Sequence, residues 1–197
     1  MVVSSTVVLG AGCYWGTEKY IKMDFQKKFP GSVKSTKVGF MNPDPDGMAN
    51  PSYREVCSGS TGHVEVLQLE LQDPDKHYEE VLKFFFQFHD PTTMNRQGND
   101  VGTQYASYIF TNGDDQLKIA KRVKEELQTL MNQKKVNYGG VGGILGKMGM
   151  GKAKVTTQIS PTTTFYEATN DHQEYLMKNP RGYCNHRIRF HEWPELN

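Results

Sequence analysis

The chain is poor in cysteine: Cys13, Cys57 and Cys184 are its three, and no two stand as Cys-x-x-Cys. That spacing excludes a framework of structural disulfides and argues against a cysteine-built zinc site. Charge of one sign is also missing, with 23 basic residues against 22 acidic and a formal net charge of +1. No field is then available to draw the chain to nucleic acid or to an anionic membrane. Nor does any apolar run approach the roughly 20 residues that a bilayer span requires. The start, Met1-Val2-Val3-Ser4-Ser5, has neither a basic segment nor a long apolar stretch, so no secretory leader is expected. The end, Pro194-Glu195-Leu196-Asn197, matches no lipidation or address signal. These absences lead to the expectation of a cytoplasmic protein with no nucleic-acid and no membrane partner.

What is present suits one domain spanning residues 1–197, long enough for a substantial hydrophobic core. An apolar, β-branched run over 6–11 reads as a buried strand. A helix over 15–28 follows, with Trp15, Ile21, Phe25 and Phe29 near helical spacing and Pro30-Gly31 as its stop. Val33 to Phe40 reads as a second strand and 42–47 as a loop. A short helical turn is expected at Tyr53 to Cys57. Residues 63–72 form the clearest strand, with Leu67, Leu69 and Leu71 on one face and Gln68, Glu70 and Gln72 on the other. Helices are expected over 77–88 and 115–131, the second with a stripe of Leu117, Ala120, Val123, Leu127 and Leu130. Tyr105 to Thr111 reads as a strand opened by the tyrosine, 154–160 as a late strand and 170–178 as a short helix. This order predicts an α+β fold, a split βαβ (ferredoxin-like) two-layer sandwich on a mixed, mostly antiparallel sheet. No second core and no internal repeat is visible. Glycine-rich 139–151 reads as a surface loop, and the segment around Cys184 as flexible. The basic residues at 118–124 and 181–189 read as solvated faces.

Cys13 lies in Gly12-Cys13-Tyr14-Trp15-Gly16-Thr17-Glu18, between a strand and a helix. The free N–H groups of a helix start favour a thiolate there, and the two aromatic rings that follow suit a small apolar group. A buried structural cysteine is the alternative. Period-two alternation puts His63 and Glu65 on the apolar side of their strand. Desolvation there favours a neutral carboxyl able to donate a proton, unless a β-bulge resets the phase and leaves Glu65 in water. Gln97-Gly98-Asn99-Asp100-Val101-Gly102-Thr103-Gln104-Tyr105 is a third constellation, in which glycines bracket Asp100. Tyr105 there is either a functional hydroxyl or an ordinary amphipathic core residue. Two look-alikes fail. Residues 146–152 have phosphate-loop spacing, but Ala153 stands where magnesium needs a hydroxyl. His63-Val64-Glu65 lacks the Pro-Cys-x-x-Cys that a zinc deaminase requires.

Taken in order, these segments resemble one family. Gly12-Cys13-Tyr14-Trp15-Gly16-Thr17-Glu18 is similar to the Gly-Cys-Phe-Trp-Gly signature of the type A peptide methionine sulfoxide reductases. Tyr53-Arg54-Glu55-Val56-Cys57-Ser58-Gly59, Gly62-His63-Val64-Glu65, His89-Asp90-Pro91, Gln97-Gly98-Asn99-Asp100 and Gly102-Thr103-Gln104-Tyr105 follow in the family's order. So do Asp171-His172-Gln173-Glu174-Tyr175 and Lys178-Asn179-Pro180-Arg181-Gly182-Tyr183-Cys184. The resemblance covers about residue 7 to residue 184. It implies reduction of methionine S-sulfoxide, free or in proteins, with no metal and no cofactor. Cys13 is then the nucleophile on sulfur and Glu65 the proton donor to the sulfoxide oxygen. Tyr53 and Tyr105 hold that oxygen, Tyr14 and Trp15 receive the methyl group, and Asp100 lines the site. The family further implies a Cys13 sulfenic acid, a Cys13–Cys184 disulfide and thioredoxin as the reductant; Cys57 has no assigned task. Three departures are visible: Tyr14 for the commoner Phe, no cysteine beyond Cys184, and a longer glycine-rich stretch. Two rival functions remain, a cysteine hydrolase using Cys13 with His63 or His172, and a non-enzymatic redox sensor. Reductant dependence separates the first, and multiple turnover the second.

Overall fold

The computed structural model describes residues 3–139 and 153–196. Strand β1 (Thr6–Ala11) ends at Gly12 and Cys13, where the chain turns into helix α1 (Tyr14–Lys19). That helix runs on through a π-helical turn (Tyr20–Phe25) and a last α-turn, α2 (Gln26–Lys28). Strand β2 (Val33–Met41) follows, then short α3 (Tyr53–Cys57), β3 (Val64–Leu71) and α4 (Pro74–Phe88). Two-residue strands β4 (Arg96–Gln97) and β5 (Asp100–Val101) form a small hairpin, followed by a 3₁₀ turn (Thr103–Tyr105). The remainder is β6 (Ser107–Thr111), α5 (Asp114–Asn132), β7 (Gln158–Pro161), β8 (Phe165–Glu167) and α6 (Tyr175–Lys178).

The result is an α+β molecule with a mixed six-stranded sheet in the order β7-β6-β1-β3-β2-β8. Pairing is antiparallel except between β6 and β7, which run parallel. Period-two alternation decides what each central strand contributes to each face. Val7, Leu9 and Ala11 of β1 and Leu67, Leu69 and Leu71 of β3 face the helices, where they meet Ile21, Phe25, Val81, Phe85, Val123 and Leu127. Val8, Val64 and Val66 point the other way and join Met41, Ala106, Tyr108, Phe110 and Phe165 in a second cluster. The sheet thus buries residues on both faces, with the larger cluster against the helices. That burial explains why the first half of β3 shows no polar alternation, while Gln68 and Glu70 further along are only half-buried.

Several local expectations shift. In α1 and its continuation the buried row is Tyr14, Glu18, Ile21 and Phe25, and Trp15 is turned aside. Helix α4 begins earlier than 77, because Asp73 accepts the Lys76 N–H at 3.3 Å and Pro74 occupies the first turn. In α5, Gln116 takes the buried place given to Leu117 and donates to the Ser4 and Thr6 carbonyls at 3.0 and 2.9 Å. Tyr105 ends the 3₁₀ turn instead of opening a strand. The helix expected over 170–178 is confined to Tyr175–Lys178, preceded by Glu174 at φ 56°. The basic faces are not all solvated: Arg189 is buried 3.6 Å from Asp90, and its guanidinium donates to the Tyr138 carbonyl at 2.9 Å. Of glycine-rich 139–151, all but Gly139 lies outside the described residues, as does the 146–152 look-alike.

Candidate active site

Gly12, at φ +90°, makes the turn that brings Cys13 to the start of α1. A Cβ on Gly12 would lie 2.4 Å from Gln97 Cβ, so the glycine also lets the β4 hairpin close over the turn. The Trp15 backbone N–H bonds toward the Cys13 sulfur and pulls its pKa down, as a helix start should. Burial outweighs that pull, and the charge of Glu65 adds to it, so the thiol is pushed well up. The expected resting thiolate is thus corrected: Cys13 rests as a thiol.

Glu65, on β3 opposite Phe40 of β2, is only 2 % exposed. Its Oε2 accepts the Tyr14 backbone N–H at 3.1 Å, which ties the strand to the residue after Cys13. Desolvation pushes the carboxyl up to about 8, with the charge of Asp100 pushing the same way. Hydrogen bonds from the Tyr14 N–H and the Cys13 thiol pull against this without reversing it. At neutral pH Glu65 is therefore mostly a neutral acid beside a thiol.

The other expected residues converge on this pair. Tyr53 on α3 hydrogen-bonds with Cys57, and burial with the charges of Cys57 and Glu65 raises its pKa. Tyr105 is raised by burial and by Glu65, Cys57, Asp100 and Cys13 around it. Asp100 on β5 accepts the Tyr183 hydroxyl at 3.0 Å through one oxygen; the other is buried without a partner among the described residues. Tyr14 is 1 % exposed, with its ring 5.8 Å from Phe40. Cys57, given no task by the sequence, stands in this wall as well, its thiol raised first by burial.

The wall's remaining member is His172, which the sequence offered only as the base of a rival cysteine hydrolase. His172 lies 4.6 Å from Tyr53, 5.7 Å from Tyr14 and 5.6 Å from Trp15, ring to ring. Tyr175 stacks on Trp15 at 3.9 Å. Both arrive from the far end of the chain, and only their place in the Asp171–Tyr175 motif could have flagged them. Glu18 explains how they are held: its carboxylate accepts the Glu174 N–H at 2.7 Å and the Thr36 hydroxyl at 3.1 Å. Tyr14 Oη, Trp15 Nε1 and His172 Nδ1 are buried with no partner among the described residues. Buried polar atoms normally find partners, so these three orphans set the ring cluster apart from an ordinary apolar wall.

Cys184 lies on a C-terminal strap fastened on both sides of it. Tyr183 bonds to Asp100, Asn185 donates to the Gln97 carbonyl at 3.2 Å, and His186 bonds to the Ala11 carbonyl at 2.6 Å. Cys13, Cys57 and Cys184 are all free thiols, and Cys184 is near enough to Cys13 for its charge to act on it.

An α+β scaffold carrying a half-buried thiol against a neutral carboxyl, with further thiols at hand, defines a thiol-based oxidoreductase. Comparison with known proteins narrows the class. A family model described as "Peptide methionine sulfoxide reductase" matches residues 5–139 and 144–194. A probable peptide methionine sulfoxide reductase of Schizosaccharomyces pombe is 37% identical over 188 residues, covering 93% of this chain and 95% of its own. The peptide methionine sulfoxide reductase MsrA of Methanothermobacter thermautotrophicus is 41% identical, covering 89% of this chain and 88% of its own. Among solved structures, reduced Mxr1 of Saccharomyces cerevisiae superimposes with a TM-score of 0.73 at 36% identity, over 95% of this chain and 93% of that one. The chain belongs to the peptide methionine sulfoxide reductase family.

Proposed function

We propose that this chain reduces methionine S-sulfoxide, free or in proteins, to methionine, with Cys13 as nucleophile and Glu65 as acid. The observation that carries the reading is the meeting of Cys13 with a carboxyl raised to about 8. In the proposed first step Cys13 attacks the sulfoxide sulfur while Glu65 gives its proton to the oxygen. The carboxylate so formed takes the thiol proton. The hydroxyl then passes from the substrate sulfur to Cys13: the substrate S–O bond and the new S–S bond break, a Cys13 S–O bond forms, methionine leaves, and Cys13 is a sulfenic acid. A paired thiol and acid need no free thiolate beforehand, which suits a cysteine whose pKa is high. Tyr53 and Tyr105 donate to the oxygen as charge builds on it. Tyr14 and Trp15 receive the methyl group and thereby select the epimer, while Asp100 orients substrate.

Cys184 then attacks the sulfenic sulfur to form the Cys13–Cys184 disulfide and water, and thioredoxin reduces that bond by thiol exchange. No cofactor or metal enters any step. We place the chain in the cytoplasm, where such a thiol cycle is kept reduced. No helix among the described residues is long and apolar enough to cross a membrane. We read residues 1–197 as a single catalytic domain and β6-β1-β3-β2 as its split βαβ core, supported by their antiparallel pairing with helices on one face. The test offers each sulfoxide epimer separately with dithiothreitol. Turnover of the S epimer alone, lost in Cys13→Ser, is expected; equal use of both epimers, or turnover surviving that change, overturns the reading.

A further inference from the structure

His186, two residues beyond Cys184, is buried and its imidazole is fixed at both nitrogens. Nε2 lies 2.6 Å from the Ala11 carbonyl oxygen. A carbonyl only accepts, so Nε2 carries the hydrogen and Nδ1 is left with a lone pair. The sulfur of Cys184 lies 3.8 Å from Nδ1, so the S–H is the donor in that contact. The ring cannot drift, because it packs directly on the α1 backbone: a Cβ on Gly16 would fall 2.0 Å from Nδ1. The Tyr20 hydroxyl donates to the His186 carbonyl at 3.2 Å, and Phe88 flanks the ring at 5.6 Å. One side chain therefore joins the backbone two residues before Cys13 to the thiol two residues before itself.

We propose that His186 is the general base of the resolving step: its Nδ1 holds the Cys184 S–H and accepts that proton as sulfur bonds to sulfur. The inference rests on the reading of Cys184 as the resolving thiol. Cys184 sulfur attacks the Cys13 sulfenic sulfur, the S–O bond breaks, and the departing hydroxide takes the proton from Nδ1 to leave as water. One sulfur is oxidised, the other reduced, and the imidazole ends neutral. The ionisable groups around the ring are Lys19 and Tyr20 from the first helix, His89 from the end of α4, Arg189 from the strap, and the Cys184 thiol. Burial, with Arg189 and Lys19, pushes the imidazole down to about 4, which leaves the lone pair free at neutral pH.

The test uses His186→Gln, whose amide N–H can still reach the Ala11 carbonyl but which offers no nitrogen lone pair to Cys184. Native and variant chains receive one equivalent of sulfoxide without reductant and are quenched in acid, and methionine and the Cys13–Cys184 disulfide are measured in the same samples. The ratio of disulfide to methionine formation rate should fall about a hundredfold in the variant, at the low end of what a positioned base contributes. An unchanged ratio overturns the proposal, since a purely structural clip survives in glutamine. A second measurement needs no variant: nitrogen-15 histidine spectra of the native reduced protein should show the Nε2–H tautomer at His186, with Nδ1 shifting when the disulfide forms. An Nδ1–H tautomer, or no shift, overturns it equally. If the native chain makes no Cys13–Cys184 disulfide at all, the resolving role of Cys184 has failed, and the native arm alone reveals it.

Discussion

At the scale of single residues, Glu65 carries the sharpest consequences because its environment opposes its usual charge. Its folded pKa of about 8 is raised above the unfolded value, so burial in the neutral form favours folding at low pH. That advantage is lost as pH rises from the unfolded pKa through the folded one, since the unfolded carboxyl ionises freely there while the native one is still held protonated. Glu65→Gln keeps the size, stays neutral and cannot donate as an acid. The variant should unfold at a higher temperature than the native chain at pH 8.5, and the gap should narrow steadily towards pH 5. The same change should slow the first turnover about a hundredfold or more, the usual worth of a positioned acid. In the native chain that first turnover should decline as pH rises through about 8, and the variant should lack this limb. A native rate flat from pH 6 to pH 9.5 would remove Glu65 from the acid role.

At the scale of elements, the strand-to-helix turn at Gly12 positions the nucleophile, and two glycines separate strain from contact. Gly12 and Gly113 share φ +90°, but a Cβ at Gly113 meets nothing within 4 Å, whereas one at Gly12 meets Gln97 at 2.4 Å. Gly113→Ala should cost about 1 kcal/mol in thermal unfolding and leave sulfoxide turnover unchanged. Gly12→Ala should cost about 1–3 kcal/mol more, through the clash, and should also depress turnover by displacing Cys13 from Glu65. Equal effects on stability and activity would deny the β4 hairpin any part in holding the site. The elements most legible in sequence were β1, by its unbroken apolar run, and those with one-sided patterns: the second half of β3 and the rows of α4 and α5. Strand β8, three residues at the sheet edge, carries too little pattern to read. That Tyr14 is buried in the core while Trp15 stacks against Tyr175 was not legible, because Tyr175 arrives from far along the chain. Glu65 was legible because a charged residue in an apolar row has a physical meaning. The high Cys13 pKa was not, because the burial that chiefly causes it is tertiary.

At the scale of the whole molecule, the site depends on a chain end folded back over its own beginning. Beyond the bonds at Tyr183, Asn185 and His186, the strap is anchored by the Arg187 N–H to the Phe88 carbonyl at 3.2 Å and the Arg189 N–H to the Gln87 carbonyl at 2.8 Å. The Arg189 guanidinium is buried with Asp90 as its counter-charge, and its Nε has no partner among the described residues. Removing one partner of such a pair strands the other, and that loss typically costs about 3–5 kcal/mol when the survivor stays buried. Here the strap can instead peel away and let the guanidinium reach water, so the loss should appear as local detachment before global unfolding. In Asp90→Asn, amide hydrogens of residues 185–190 should exchange markedly faster while those of β1 and β3 keep their protection. The first turnover with one equivalent of sulfoxide should persist, because Cys13, Glu65 and their aromatic wall do not need the Asp90 charge. Disulfide formation with Cys184 and thioredoxin-driven cycling should both fall, since the resolving thiol would no longer be held beside Cys13. If cycling is undiminished while the strap exchanges freely, the docked position of Cys184 has no part in resolution and its sulfur finds Cys13 by diffusion of a loose tail.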